Sequence, residues 1–196
     1  MSERIQVGIV AFAPPPSFRD VLENLKRHVD SIIVVYGRFL GFDHPEVHPP
    51  GYIEDHADLI LSDRKLPQSK QRDLYLKGLE EGDMFFFMDC DWIPTNPETF
   101  RNMSKIDATA FSFKVIGGGS QQLVCGYKYR EGFRHSTGGL FIDKDGKYVT
   151  TPAYRCHNVP AHVNYYLHNC RWDPKNADDI RYREAQLAYF KGLSSQ

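Results

Sequence analysis

Two continuous apolar runs open the chain, with a segment of helical periodicity between them. Residues 5–12 (IQVGIVAF) and 31–36 (SIIVVY) are short and rich in β-branched side chains, which predicts two buried strands. The apolar positions between the runs fall on one face of a helix, namely Phe18, Val21, Leu22, Leu25 and Val29. A strand, a helix and a second strand in this order predict a β-α-β unit and a parallel sheet.

Polar and proline-rich positions mark the ends of these elements. The run Pro14-Pro15-Pro16 ends the first strand, because proline cannot donate to a strand ladder. Ser17, with Asp20 three residues on, has the spacing of a capping box at the start of the helix. Residues 37–57 are rich in Gly, Pro and His without periodicity, which predicts a long loop, and a third strand is expected at 57–61.

The most apolar stretch is Met84 to Met88 (MFFFM), which predicts a central strand. A helix is expected before it, over residues 70–81 and ended by Gly82. The apolar stretch leads directly into Asp89-Cys90-Asp91. Polar chemistry is therefore predicted at the carboxyl end of a central strand, where open α/β sheets bind their ligands.

The second half of the chain has a different pattern. Strands are expected at 108–116, 123–129 and 139–142, a hairpin turn at Asp145-Gly146, and a final helix from about Asp173. The fold class is therefore α/β. We expect one domain over residues 1–196, with a nucleotide-binding β-α-β half (1–92) followed by a mixed-sheet acceptor half with the C-terminal helix (93–196).

Composition adds limits to this fold. A chain of 196 residues with 41% hydrophobic residues fits one domain with a substantial core. The net charge of −1 gives no electrostatic reason to expect binding to a nucleic-acid backbone or an anionic membrane. No apolar run approaches the ~20 residues that span a bilayer. The polar start, Met1 to Gln6, lacks a signal-peptide core. We therefore expect a cytoplasmic protein without membrane insertion, whose four cysteines form no CxxC pair and stay reduced.

The acidic pair after the central strand has a pattern typical of metal ligands. Residues two apart on an extended chain point the same way, so Asp89 and Asp91 are expected to reach one cation. Carboxylate oxygens suit hard cations such as Mn²⁺ or Mg²⁺. A purely structural role as the start of a turn is the alternative. It is the less favoured one, because charges beside a sheet core are costly unless something pairs them.

The stretch from 69 to 92, SKQRDLYLKGLEEGDMFFFMDCDW, resembles glycosyltransferase family 2 and its relatives with the GT-A fold. A basic helix start, a Gly-Asp turn, an apolar strand and a DxD triplet follow one another in that family's order. The resemblance implies a single GT-A-like domain and a nucleoside-diphosphate sugar donor, commonly a UDP-sugar such as UDP-glucose. It also implies Mn²⁺ or Mg²⁺ as cofactor, and transfer of a hexose to an acceptor.

The same resemblance assigns donor-binding residues. Lys70 and Arg72 match the family's basic positions, and cations at a helix start suit a diphosphate. A solvated helix face is the alternative for both. The nucleoside pocket is implied at the ends of the first three strands, at Phe12, Ala13, Pro14, Tyr36 and Asp63. Core packing is the alternative for the aromatic members.

A late histidine often completes the metal site in GT-A enzymes, and His168 within Leu167-His168-Asn169 matches that element. His157 and His162 precede it, at spacings that fit no zinc pattern. The family's catalytic base has no match here. Glu131, Asp143 and His157 are later candidates without motif support, so inversion or retention at the anomeric carbon stays open.

Two other functions remain alternatives. One is a nucleotidyltransferase of sugar phosphates, although the FAPPPSF loop after the first strand lacks the Gly-rich basic character of such enzymes. The other is a non-catalytic nucleotide-binding module, which would not need Asp89, Asp91 and His168 together. No GxGxxG follows the first strand, which disfavours a dinucleotide-binding dehydrogenase. The unknown acceptor would bind to the second half or to an oligomeric partner.

Overall fold

The computed structural model describes residues 4–12, 14–37, 40, 48–94, 96–103, 105–106, 108–116, 120–136, 141–149 and 156–165; at positions 113–116, 120–124 and 156–165 it describes the backbone. Eight strands form one mixed sheet in the order β3-β2-β1-β4-β7-β6-β10-β5. Its strands are β1 (Ile5–Ala11), β2 (Ser31–Tyr36), β3 (Leu59–Leu61), β4 (Met84–Asp89), β5 (Trp92–Pro94), β6 (Ala110–Ile116), β7 (Ser120–Lys128) and β10 (Cys156–Tyr165). A separate hairpin consists of β8 (Arg134–His135) and β9 (Phe141–Ile142). The helices are α1 (Phe18–Leu25), α2 (Gly51–His56), α3 (Gln68–Arg72) and α4 (Thr99–Met103), and a 3-10 helix spans Asp73–Gly78.

The first half is parallel, as the β-α-β order predicts. β1 pairs in parallel with β2 on one side and with β4 on the other, and β3 extends the parallel set. β7 then pairs antiparallel with β4, so the sheet becomes mixed in the second half. The α/β fold class is therefore confirmed, with strands from both halves in one sheet.

The two faces of the sheet are buried under different elements. On one face α1, α2 and α4 cover a core that includes Phe86 and Met88 of β4. On the other face the 3-10 helix and the β8–β9 hairpin cover a core around Phe85. Alternate residues of a strand point to opposite faces, so Asp89 shares the face of Phe85 and Phe87. The alternation therefore directs Asp89 toward the segment that carries the 3-10 helix.

The edge where β1, β2 and β4 begin, here called the amino edge, uses its carboxylates for backbone hydrogen bonds. The backbone N–H of Ile5 donates to Asp30 at 2.8 Å, and that of Ile32 donates to Asp58 at 2.8 Å. Asp83, immediately before β4, is buried and accepts from Arg4, from Gln6 and from the backbone N–H of Glu80. These carboxylates satisfy exposed strand and turn donors, which gives them a structural role.

Two local expectations for the first half were wrong. Ser17 has helical backbone angles and makes no side-chain capping bond, so the capping-box prediction fails. The backbone N–H of Phe18 bonds Pro15 O instead, because the proline run already turns the chain into the helix. The loop expected at 37–57 contains the short helix α2, which has little apolar periodicity and is held by packing of Ile53 into the core.

The helix expected over 70–81 is also shorter than predicted. α3 ends at Arg72 and the chain continues as the tighter 3-10 helix to Gly78. Three consecutive residues of that segment, 74–76, are buried, which a one-sided surface α-helix does not allow. The third strand is confirmed within 59–61, and the central strand is confirmed and extends to Asp89.

The second half confirms three expected strands with shifted ends, at β6, β7 and β9. The hairpin turn at Asp145-Gly146 is confirmed, with Gly146 at a φ of 78°. β5, β8 and β10 were not predicted, and β10 runs through the histidine-containing stretch. The final helix expected from Asp173 lies outside the described residues.

Gly8 on β1 is required by close packing across the sheet face. A Cβ atom at this position would lie 2.6 Å from Cγ of Tyr75 and 2.9 Å from Cε2 of Phe85. Both rings are buried and cannot retreat without disturbing the core. The ring of Tyr75 therefore rests directly on the backbone of β1.

We predict that Gly8→Ala destabilises the fold by about 1–3 kcal/mol through overpacking. Gly51→Ala is the matched control, because its Cβ would meet nothing within 4 Å. The control should instead gain about 0.4–1 kcal/mol from the lower entropy of the unfolded chain. Urea unfolding of both variants measures the difference, and equal effects would contradict the packing argument.

Candidate active site at the carboxyl edge of the sheet

The parallel strands end side by side at the edge opposite the amino edge, here called the carboxyl edge. Val10 of β1 lies beside Asp89 of β4, and Ala11 lies beside Tyr36 of β2. The backbone N–H of Cys90 donates to Val10 O at 3.1 Å, which holds the acidic turn against β1. Neighbouring strands lie about 4.8 Å apart, so the residues that follow these strands share one site.

The acidic residues occupy a tight turn between β4 and β5. Asp89 is the last residue of β4, Cys90 and Asp91 form the turn, and Trp92 begins β5. The extended backbone expected across the triplet is therefore replaced by a turn. Both carboxylates still lie close enough to the Cys90 thiol to influence its pKa. The turn therefore places both carboxylates near the same thiol.

Asp89 is held by Arg72. The Nη2 atom of Arg72 donates to Oδ1 of Asp89 at 2.5 Å, and the two side chains are 15% and 34% exposed. Arg72 is the last residue of α3, so the early end of that helix points the guanidinium toward the end of β4. The alternation that directs Asp89 to this face makes the ion pair available. Charge-assisted pairs of this kind are the strongest hydrogen bonds in proteins.

Lys70 also forms an ion pair at this edge. Its Nζ atom donates to Oδ2 of Asp73 at 3.1 Å. Burial raises the pKa of Asp73, while a bond from the backbone N–H of His135 and the charge of Lys70 lower it. The two predicted phosphate-binding cations therefore lie on the same short segment, each beside a carboxylate.

The Cys90 thiol is partly buried within the acidic turn. Its pKa is raised to about 12, mainly by burial and also by the charges of Asp91 and Asp89, against a hydrogen bond from the Phe12 backbone that lowers it. Burial also raises the pKa values of Tyr36 and Tyr52, each with a smaller contribution from Cys90. This side of the edge is therefore a weakly polar, partly buried patch that stays uncharged at neutral pH.

The remaining residues predicted for the nucleoside pocket are placed as follows. Phe12 and Pro14 are half-buried at the end of β1, and Ala13 lies outside the described residues. Asp63 follows β3, where Oδ1 accepts from the backbone N–H of Lys65 at 3.0 Å and the carbonyl accepts from Gln71 at 2.7 Å. Asp63 therefore stabilises a local turn through Oδ1. A ligand that bonds Oδ2 would not disturb this turn.

The three candidates for a catalytic base are spread over the fold. Glu131 follows β7, whose last residue pairs with the first residue of β4, so Glu131 lies at the amino edge. Asp143 is buried in the hairpin turn, where Oδ1 accepts from the backbone N–H groups of Asp145 and Lys147. His157 is placed by its backbone on β10, beside Phe111 and three strands from β4. None of the three is brought to the acidic turn by the described contacts.

The end of β10 returns to the acidic turn. Tyr165 pairs with Trp92, the residue after Asp91, and Asn164 pairs with Ile93. β5 therefore brings the end of β10 beside the residues that follow the acidic turn. His168 lies outside the described residues, three positions beyond Tyr165.

The described side chains supply two carboxylates for a cation and no group of three or more ligating residues. Such a set fits Mg²⁺ or Mn²⁺, because these ions often bind one or two carboxylates and take further oxygens from a bound phosphate. The ion pair with Arg72 leaves Oδ2 of Asp89 available for a second interaction. The acidic turn therefore fits a cation that arrives with a phosphate-containing ligand.

No pattern in the sequence identifies two polar residues of this region, Tyr52 and His135. Tyr52 lies on the unpredicted helix α2 and faces the edge of the Phe18 ring. His135 is buried and bonded to Tyr75 across sixty residues of sequence, with its ring nitrogen 2.6 Å from the hydroxyl. A short polar strand such as Arg134–His135 has no hydrophobic period, so no local pattern indicates either contact.

No protein-family model and no curated protein matches the chain. Among solved structures, the chain is similar to TarS 1-349 of S. aureus, with a TM-score of 0.42 and 15% identity over 59% of this chain and 37% of that one. It is also similar to Rv0371c from Mycobacterium tuberculosis H37Rv, with a TM-score of 0.47 and 12% identity over 91% and 96% of the two chains. The chain thus spans little more than a third of the TarS chain, and likenesses at this level carry no argument about activity.

None of the helices formed by the described residues has the length and apolar composition that a bilayer crossing requires.

We predict that Cys90 alkylates slowly, because its pKa of about 12 leaves almost no thiolate at pH 8. Its rate with iodoacetamide should be about a thousandfold below that of a free thiol with an ordinary pKa. Asp91→Asn should speed the reaction, because one of the two charges that raise the pKa is removed. Peptide mass mapping measures Cys90 separately from the other cysteines. A rate equal to that of glutathione would contradict the burial of the thiol.

Proposed function

We propose that this protein is a metal-dependent glycosyltransferase that moves a hexose from a nucleoside-diphosphate sugar, such as UDP-glucose, to an acceptor. The observation that carries the proposal is the acidic turn at the end of β4, with Asp89 bonded to Arg72 and Lys70 two residues earlier on α3. Two carboxylates and two cations at one strand end form a set that complements a cation bound to a diphosphate.

The charges of the site suit a leaving group that becomes more negative. Arg72 and Lys70 would bind the diphosphate, and their fixed positions at the end of α3 keep positive charge near the developing charge. Mn²⁺ or Mg²⁺, bound by Asp89 and Asp91, would supply further positive charge to the departing diphosphate. The ion pair of Arg72 with Asp89 would then be exchanged, since the carboxylate gains a cation and the guanidinium gains a phosphate.

The nucleoside would lie on the other side of the acidic turn. Phe12 and Tyr52 are half-buried and provide aromatic surface near the ends of β1 and β2, whereas Tyr36 is buried in the core, as its core-packing alternative has it. A planar base packs well against such a surface, and the charged phosphates are kept on the Arg72 side. Asp63, two residues after the end of β3, would supply a carboxylate for the ribose.

A nucleotidyltransferase of sugar phosphates and a non-catalytic nucleotide-binding module use the same ligand chemistry. A nucleotidyltransferase of this kind needs a loop after β1 that is rich in glycine and basic residues. Residues 12–18 contain no glycine and no basic side chain. The second binds nucleotide without turnover. A turnover assay therefore separates both alternatives from the proposal.

The deciding experiment is a donor screen with UDP-, GDP- and dTDP-sugars, with and without Mn²⁺. We expect metal-dependent release of nucleoside diphosphate, lost in Asp91→Asn, while the fold stays intact. Glu80→Gln is the control, because Glu80 is exposed and pairs with Arg4 at the amino edge, opposite the acidic turn. Nucleotide binding without release favours the binding module, and formation of pyrophosphate from a nucleotide and a sugar phosphate favours the nucleotidyltransferase.

The Arg72 pairing gives a prediction with opposite signs for the two ligands. Arg72→Ala should raise the dissociation constant for UDP roughly ten- to a hundredfold through the loss of a charge-assisted contact. The same variant should bind Mn²⁺ several-fold more tightly without nucleotide, because Asp89 no longer has a competing cation. Calorimetry with each ligand alone measures both effects.

Lys70→Ala should weaken UDP binding in the same direction. Lys26→Ala is the matched control, because Lys26 pairs with Asp58 at 2.5 Å at the amino edge. Unchanged UDP affinity in the Arg72 and Lys70 variants would return both residues to an ordinary structural role on the segment.

His168 is proposed as a third ligand of the cation. Its distance along the chain from Tyr165 is three residues, and an extended chain covers at most about 3.6 Å per residue. Because Tyr165 pairs with Trp92, His168 has the reach to meet Asp91. The wild type should lose Mn²⁺ affinity as the pH falls through ~6.5, where an unperturbed imidazole gains a proton. The variant His168→Ala should bind Mn²⁺ more weakly and should lack this pH dependence. Unchanged affinity would leave Asp89 and Asp91 as the ligands.

A further inference from the structure

His135 lies in a buried aromatic pocket on the face of the sheet that carries Asp89. Its exposed fraction is 1%. The ring meets Phe141 edge-on with centroids 4.4 Å apart, and Phe87 edge-on at 5.3 Å. One polar contact of the ring is a bond of 2.6 Å between Nε2 and the hydroxyl of Tyr75. A polar ring in an apolar pocket is costly unless such a bond offsets its desolvation.

The backbone of His135 holds the same segment at a second point. Its N–H donates to Oδ1 of Asp73 at 2.6 Å, while Oδ2 of Asp73 accepts from Lys70. One residue of β8 therefore bonds Asp73 and Tyr75, which follow Arg72 by one and three positions. These bonds cross between the two halves of the chain, because β8 belongs to the second half and the 3-10 helix to the first.

Tyr75 has little freedom to move once it is bonded. Its ring rests on the backbone of Gly8 and packs against Phe85 with centroids 5.1 Å apart. Burial raises the pKa of Tyr75 well above its usual range, and the charges of Arg72 and Asp89 lie near enough to act on it. The phenol therefore stays protonated and connects the position of His135 with the ion pair at the end of β4.

We propose that His135 is a positioning residue that fixes Arg72 against Asp89, through its bonds to Tyr75 and Asp73, and so sets the affinity of the site for a diphosphate. The diphosphate part of this proposal rests on the proposed function, whereas the positioning of Arg72 does not. An apolar side chain at position 135 could pack in the same pocket but could not fill this role. It would leave the buried hydroxyl of Tyr75 without its hydrogen-bond partner on β8.

The first test observes Arg72 directly and needs no ligand. In ¹⁵N-labelled protein, the side-chain Nε–H signal of Arg72 is identified as the one lost in Arg72→Lys. We expect a separate, slowly exchanging signal in the wild type and in His135→Gln, whose amide oxygen can accept from Tyr75. In Tyr75→Phe and His135→Leu the signal should merge with those of mobile arginines. Tyr148→Phe, at an exposed tyrosine, is the control that should change nothing.

Thermal unfolding of each variant shows whether it is folded, and if His135→Leu does not fold, Tyr75→Phe decides. An unchanged Arg72 signal in a folded Tyr75→Phe variant would overturn the proposal. Failure of His135→Gln to restore the signal in a folded protein would also overturn it.

The second test asks whether His135 and Tyr75 act through Arg72. Tyr75→Phe should raise the dissociation constant for UDP about tenfold in the wild-type background. In the Arg72→Ala background it should change that constant less than about twofold, because the group being positioned is gone. Equal losses in both backgrounds would show that Tyr75 acts independently of Arg72. If the wild type does not bind UDP, the proposed function fails, and the arginine signal still decides the positioning.

Discussion

The parallel pairing of β4 with β1 is the constraint on which the rest of the structure depends. It sets the register in which Asp89 lies beside Val10, so the acidic turn begins where β1 ends. The pairing also requires a crossover between β3 and β4 on one face, and α3 with the 3-10 helix forms it. Arg72 ends α3, in the first part of that crossover, and from there its guanidinium bonds Asp89. The pairing therefore determines the position of the acidic residues and that of their basic partner.

Asp30 and Asp58 at the amino edge differ from Asp89 at the carboxyl edge in the groups from which they accept hydrogen bonds. Asp30 and Asp58 take backbone N–H groups at the starts of strands, and those bonds use their oxygens for structure. Asp89 accepts from the side chain of Arg72. A carboxylate bonded to the backbone is fixed for as long as the strand exists. In the proposed function, the carboxylate of Asp89 exchanges its arginine partner for a metal ion.

The proposed site combines parts that come from distant segments. The acidic turn and α3 belong to the first half, whereas His135 and the end of β10 belong to the second. The position of Arg72 then depends on packing in the aromatic core between β4, the 3-10 helix and the β8–β9 hairpin.

The sequence by itself determined the β-α-β start, the central strand and the position of the acidic residues directly after it, but not the turn that they form. Those features depend on continuous apolar runs and on helical spacing within some ten residues, and such patterns are local. The sequence also indicated Lys70 and Arg72, through a resemblance that covers the same local stretch. Only the tertiary structure decided that α3 ends at Arg72, that Arg72 pairs with Asp89, and that β5 joins β10. It also decided the bond between His135 and Tyr75. These contacts join residues that are far apart in sequence, and their energy depends on burial and on partners that no local pattern contains.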